Sequence, residues 1–231
     1  MIRYSEGTVF NVDTQALVNT VNCVGVMGAG IALEFKLRYP EMFEDYATKC
    51  RDRQIVTGKV DYFKHEDGRI IVNFPTKAHF KYPSKLSWIE QGLEHFCKTY
   101  TSQGITSIAF PKLGTSHGGL AWNEVKQRME HYLSGLDIDV YICLDTKENA
   151  EGVEKVMLDA FHATSTEQLS SLVRLNSRQK KALRENAPFD RFWKISQTES
   201  IGAKTYAALF QHFYQTAMGR TGGQQMSLFD S

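Results

Sequence analysis

Three glycines, Gly25, Gly28 and Gly30, stand between a short apolar run at 16–21 and an amphipathic segment at 31–38. A glycine-rich turn from strand to helix lets backbone N–H groups approach an anion without Cβ interference, and the helix start adds unpaired donors and positive dipole. Phosphate fits such a cradle; a tight turn with no ligand is the other reading of the bare pattern. The turn carries no Gly-Lys-Ser/Thr, and Leu33 stands where the dinucleotide fingerprint places a third glycine. A second glycine-rich stretch, 111–122, also follows an apolar run and opens a helical pattern. Two such turns after strands of one sheet predict a diphosphate held between them.

Two asparagines, Asn19 and Asn22, interrupt the first apolar run. A buried amide needs several hydrogen-bond partners. Asn22 falls at the carboxyl end of the expected strand, where open α/β sheets place their binding crevice, so a sugar hydroxyl is its expected partner. Asn19 is expected to bond neighbouring backbone.

The elements that must position these residues alternate. Strands are expected at 2–4, 16–21, 59–63, 69–74, 105–110 and 139–143, with Pro75 and Pro111 closing the fourth and fifth because proline cannot donate to a central ladder. Helices are expected at 31–38, 41–53, 86–101 and 122–134; Leu86, Ile89, Leu93, Phe96 and Cys97 recur at helical spacing in the third. This alternation predicts an α/β layer structure over residues 1–147. From 148 to 220 the β-branched runs vanish and the pattern turns helical, and 221–231 is expected to be a flexible tail after Gly222-Gly223.

Composition limits what the chain can be. It has 231 residues, 42% of them hydrophobic and 23% charged, which excludes global disorder. With 27 Lys and Arg against 26 Asp and Glu there is no global field to draw it onto nucleic acid, so such binding needs a local patch. One local excess lies at 174–194, with seven basic residues against two acidic ones, and Phe192 and Trp193 are available there for base stacking. A solvated helix face is the alternative. No apolar run approaches the roughly 20 residues a bilayer needs and no signal peptide is visible, so no membrane role and a cytoplasmic location are expected. Cys23, Cys50, Cys97 and Cys143 form no Cys-x-x-Cys pair, so a zinc site is not expected and the thiols are expected to be reduced.

Residues 16–32, Asn73-Phe-Pro-Thr-Lys77 and Leu113-Gly through Gly118-Gly-Leu-Ala-Trp122, in that order, resemble the macrodomain of the DarG-type antitoxins. The resemblance covers about residues 1–145 and implies a three-layer α/β/α macrodomain with a mixed sheet, followed here by a small all-α C-terminal region. It implies binding of ADP-ribose and removal of ADP-ribose from thymidine bases of single-stranded DNA, as antitoxin to a DarT-type toxin, with no cofactor and no metal. Asn22 matches the asparagine that holds the distal ribose. The first loop implied to contact ADP-ribose comprises Gly25, Val26, Met27, Gly28, Ala29, Gly30 and Ile31, and the second comprises Leu113, Gly114, Thr115, Ser116, His117, Gly118 and Gly119.

Lys77 matches the catalytic lysine, placed by Pro75 in a loop facing the crevice, where desolvation would let it attack the anomeric carbon or shuttle a proton. Lys81 and Lys85 read as neighbouring surface charges. Gly7-Thr8 stands where many macrodomains carry Gly-Asp to read adenine, and His117-Gly118-Gly119 where related glycohydrolases carry an aspartate. A non-catalytic ADP-ribose-binding module, and an antitoxin acting by direct toxin contact through its helical region, are the competing readings. Finally, Gln225, Met226, Ser227, Leu228 and Phe229 resemble the motif by which bacterial proteins dock on the DNA polymerase sliding clamp, while 221–226 also resembles an epitope tag.

Overall fold

A computed structural model describes the backbone of residues 1–228 and the side chains of residues 1–219. The chain divides into two units, Met1–Thr146 and Lys147–Ser231.

The first unit is built on six strands: β1 (Ile2–Ser5), β2 (Ala16–Asn22), β3 (Asp61–Lys64), β4 (Ile70–Lys77), β5 (Ser107–Pro111) and β6 (Asp139–Cys143). Their order is β1-β6-β5-β2-β4-β3. Every neighbour pair is parallel except β3 with β4, which makes the sheet mixed. Four helices cover it: α1 (Gly30–Arg38), α2 (Pro40–Arg51), α3 (Leu86–Thr99) and α4 (Trp122–Leu133).

Side chains on a strand alternate between faces, and both faces of the central strands are apolar. Val18, Val72, Phe74, Ile108 and Ile142 pack with Ile89, Leu93 and Phe96 of α3 and Val125, Met129 and Leu133 of α4. Leu17, Val21, Ile71 and Ala109 pack on the other face with Phe35 of α1 and Met42, Tyr46 and Cys50 of α2. A sheet buried on both faces is what parallel strands with crossover helices require.

The strand ends differ from expectation where prolines stand. β4 continues through Pro75 to Lys77, and β5 includes Pro111. Lys77 therefore ends a strand rather than sitting in a loop. The β2–β4 register shifts between Val21 and Asn22, next to the Val21–Pro75 pair, and pairing of β3 with β4 stops at Asn73. An irregular ladder with one neighbour gone tolerates a residue that lacks an N–H.

The second unit holds α5 (Gly152–Ala163), α6 (Thr166–Val173), α7 (Ser177–Asn186) and α8 (Ala203–Leu228), with a 3-10 segment at Phe192–Gln197. Phe161, Phe192, Tyr206, Phe210 and Phe213 form its buried aromatic core. Residues 221–228, expected to be a flexible tail, continue α8 in their backbone. The expected sliding-clamp contact falls on side chains outside the described residues, and Phe229 lies outside them entirely. Among the described residues, no helix is long and apolar enough to cross a membrane.

Candidate active site

The carboxyl ends of β5, β2 and β4 lie side by side at the sheet centre, and each releases one loop: 112–121 after β5, 23–29 after β2 and 78–85 after β4. Lys77 and Asn22 are register partners on adjacent strands.

Asn22 is 7% exposed, and its amide closes the first loop on itself. Its Nδ2 donates to the Val26 carbonyl at 2.6 Å, and its Oδ1 accepts from the Val24 N–H at 3.0 Å. The Tyr46 hydroxyl donates to the Asn22 carbonyl at 2.7 Å, fixing the residue from α2. The expected ribose ligand is thus first a staple of the loop, with one Nδ2 hydrogen left over. Tyr46 gave no sign of this role in sequence, where it reads as one apolar position of α2.

Within that loop Gly25 and Gly30 have φ of +77° and +55°, a region that side chains disfavour. Ala29, at the N-cap of α1, provides no side-chain acceptor, and the first turn of α1 carries no acid. Its leading N–H groups are therefore directed at whatever anion arrives. Val26, Gly28, Ala29 and Gly30 are exposed and Ile31 is partly so, whereas Met27 is only 2% exposed. The Met27 side chain belongs to the core, so only its backbone is available to a ligand.

The second loop folds around two glycines. A Cβ on Gly118 would lie 2.1 Å from the Gly114 carbonyl oxygen, so no side chain fits there. Leu113, Gly114 and Gly118 are buried, Thr115 is partly buried, and Ser116, His117 and Gly119 are exposed. The buried Leu113 side chain is packing, not a ligand contact.

His117 joins the three loops. Its ring lies over Gly30, 3.4 Å from where a Cβ would stand, and its carbonyl accepts from Lys77 Nζ. Lys77 also donates to the Phe80 carbonyl at 3.4 Å, and the Ser84 N–H donates to the Gly118 carbonyl at 2.9 Å. Burial lowers the Lys77 pKa from the ordinary lysine value. The sequence contains no Asp or Glu from Thr14 to Leu33, from Gly68 to Ile89 or from His95 to Asn123. All three loops are therefore free of carboxylates, and the half-buried lysine faces no neighbouring acid from them.

Beneath the crevice, Asn19 takes a partner the sequence did not indicate. Its Nδ2 donates to Asn73 Oδ1 at 3.1 Å, not to nearby backbone, and Asn73 donates in turn to Asp61 at 3.4 Å. Asp61 is paired with Lys49 at 2.8 Å. The chain of polar groups crosses the α1–α2 face of the sheet. Thr8, standing where adenine recognition would place an aspartate, caps the 3-10 turn Val9–Asn11, accepting from the Phe10 N–H.

Known proteins carry comparable sequences and folds. Residues 18–129 match the Macro domain family. A DNA ADP-ribosyl glycohydrolase of Mycobacterium tuberculosis is 44% identical over 160 residues, covering 67% of this chain and 46% of the relative. The chain thus spans about half the length of the curated relative it matches. Among solved structures, the macrodomain of Mycobacterium tuberculosis DarG superposes with a TM-score of 0.60 at 46% identity, covering 62% of this chain and 97% of that one. Thermosipho africanus DarTG in complex with ADP-ribose gives a TM-score of 0.61 at 33% identity, covering 67% of this chain and 44% of that one.

Proposed function

Since the chain belongs to the macrodomain family, we propose that it is a hydrolase that removes ADP-ribose from thymidine bases of single-stranded DNA, serving as antitoxin to a DarT-type toxin in the cytoplasm. The observation that carries this reading is Lys77: a half-buried amine of lowered pKa, on the strand beside Asn22, tied to the His117 carbonyl among three loops that carry no carboxylate. The two glycine loops supply a diphosphate cradle through the N–H groups of α1 and the 114–119 turn. The leftover Nδ2 hydrogen of Asn22 is available to a ribose hydroxyl.

With no acid in the loops to act as nucleophile, we assign that role to the lysine. Its neutral amine attacks the anomeric carbon of the distal ribose; the Nζ–carbon bond forms as the glycosidic bond to the base nitrogen breaks, and the base leaves with a proton from solvent. The adduct then opens, the ring C–O bond breaking as a C=N bond to Nζ forms and the ring oxygen taking up a proton, and water adds to this imine, returning the amine and free ADP-ribose. Desolvation supports this role by favouring the uncharged, nucleophilic form. The sliding-clamp contact through 225–229 rests on its sequence motif alone.

Lys77→Ala is expected to lower ADP-ribose release from a modified single-stranded oligonucleotide at least a hundredfold, about 2.7 kcal/mol. ADP-ribose binding by calorimetry should stay within about tenfold. Borohydride added during turnover should trap a covalent ADP-ribosyl adduct on the wild type and none on the variant. Turnover by the variant at the wild-type rate would remove the lysine from the reaction, and an unmodified wild type after borohydride would remove the covalent step.

A further inference from the structure

Three aromatic rings crowd the surface beside the reactive lysine. His79 and Phe80 are stacked with centroids 4.4 Å apart, and Tyr82 lies 5.5 Å from His79. Phe80 is 44% exposed and Tyr82 64%, the latter surpassed among the described large apolar residues only by the first methionine. Lys81 and Lys85 are exposed, and among the described residues neither has an ion-pair partner. The nearest acids of α3 are taken: Glu90 pairs with Arg128 at 2.8 Å and Glu94 with Lys98 at 2.6 Å.

The loop that carries these groups is not slack. The Tyr82 N–H donates to the His79 carbonyl at 3.1 Å, the Lys81 N–H to His79 Nδ1 at 3.2 Å, and the Ser84 N–H to the Gly118 carbonyl at 2.9 Å. The same loop holds Lys77 through the Phe80 carbonyl. Rings and ammonium groups are thus presented in fixed order, beginning at the reacting amine.

We propose that the 78–85 loop is a docking strip for the single-stranded DNA on one side of the modified nucleotide, with Tyr82 stacking on a neighbouring base and Lys81 and Lys85 taking backbone phosphates. This rests on the proposed function above. Single strands are the occupant that uses both features: an unstacked base offers a face to an exposed ring, and its phosphates suit cations that lack a carboxylate partner. Duplex DNA keeps its bases stacked on one another and would leave the rings unused. An acidic protein would meet the lysines but give no reason for two exposed rings at the surface.

The test is binding of the full chain to a labelled, unmodified, thymine-rich single strand of about twelve nucleotides, within the range of known single-strand sites, and to the corresponding duplex. Fluorescence anisotropy should show the single strand bound more tightly than the duplex. Tyr82→Ala should weaken the single strand about tenfold, with Tyr82→Trp restoring it, as expected from the stacking of one base. The pair Lys81→Gln and Lys85→Gln should flatten the salt dependence by about 1.4 in log–log slope, two phosphate contacts at roughly 0.7 each. Titration with ADP-ribose reports that each variant is folded. Wild-type affinity and salt slope in these variants, or equal binding of the duplex, would overturn the docking strip. Strand binding that responds to the variants, combined with no ADP-ribose release from a modified strand, would overturn the hydrolase reading and leave the strip standing.

Discussion

Residues 77–85 and 174–194 both carry clustered positive charge with aromatic rings interleaved, and folding leaves the two stretches in opposite surroundings. In the second stretch Arg178 pairs with Glu199, Lys181 with Glu185, Arg191 with Glu154 and Lys194 with Asp190. Arg191 and Glu154 have side chains only 7% and 12% exposed, and Arg191 also donates to the Lys147 carbonyl at 3.0 Å. Phe192, expected as a stacking platform, is 1% exposed inside the aromatic core. Most of that charge is therefore answered by acids, and one of its two rings is core. In 77–85 no carboxylate among the described residues answers the lysines, and two of the three rings stay in solvent. A count of charges along a sequence cannot separate these cases; the separation lies in where the acids fall after folding.

The largest test of this contrast removes Arg191. Breaking a buried ion pair leaves an uncompensated charge and costs about 3–5 kcal/mol, so Arg191→Ala should lower the unfolding free energy of the second unit by that order in urea melts. A loss below about 1 kcal/mol would mean that Arg191 is not the structural residue its burial indicates.

The pH dependence of turnover probes the other stretch. Burial lowers the Lys77 pKa, and the proposed attack uses the neutral amine, so the rate should rise with pH through a value below the ordinary lysine figure of about 10.4. The linkage has the same sign. Between the lowered folded value and the unfolded one, the unfolded chain binds more protons at this site, so this contribution to stability grows as pH rises through that window. A rate that falls over the same range would assign the ammonium form, and with it a proton-donor role, to Lys77.

The smallest effect is expected where the second stretch keeps charge without an ion-pair partner among the described residues. Changing Arg174, Lys180 and Arg184 together to Gln should alter single-strand affinity by no more than about twofold, about 0.4 kcal/mol. A drop matching that of the Lys81 and Lys85 pair would erase the distinction drawn between the two stretches.

Sequence periodicity was informative wherever one physical requirement dominated. The six strands and four helices of the first unit were legible because the strands are short β-branched apolar runs and the helices repeat on a longer apolar period, and both glycine loops because glycine best serves a positive φ or a close backbone approach. What could not be read were choices made by tertiary contact. Asn19 meets Asn73 because β2 and β4 are neighbours in register, a fact no local window contains. Lys77 gains its tether from His117, forty residues away, once β5 and β4 flank β2. Pro75 signalled an end to β4 that an irregular ladder overrides. The basic and aromatic residues of 77–85 were visible, but their exposure and lack of acid partners were not.

The self-closure of the first loop by Asn22 bears on the kinetics and thermodynamics of capture. Its side chain and the Val24 and Val26 amides surrendered their rotational freedom when the chain folded, so a diphosphate bound as proposed would meet a shaped rim and need not first order one. The entropic toll of assembling the rim is thus absent from the encounter. Discrimination between ligands at such a preformed rim would then fall chiefly to how fast each one departs.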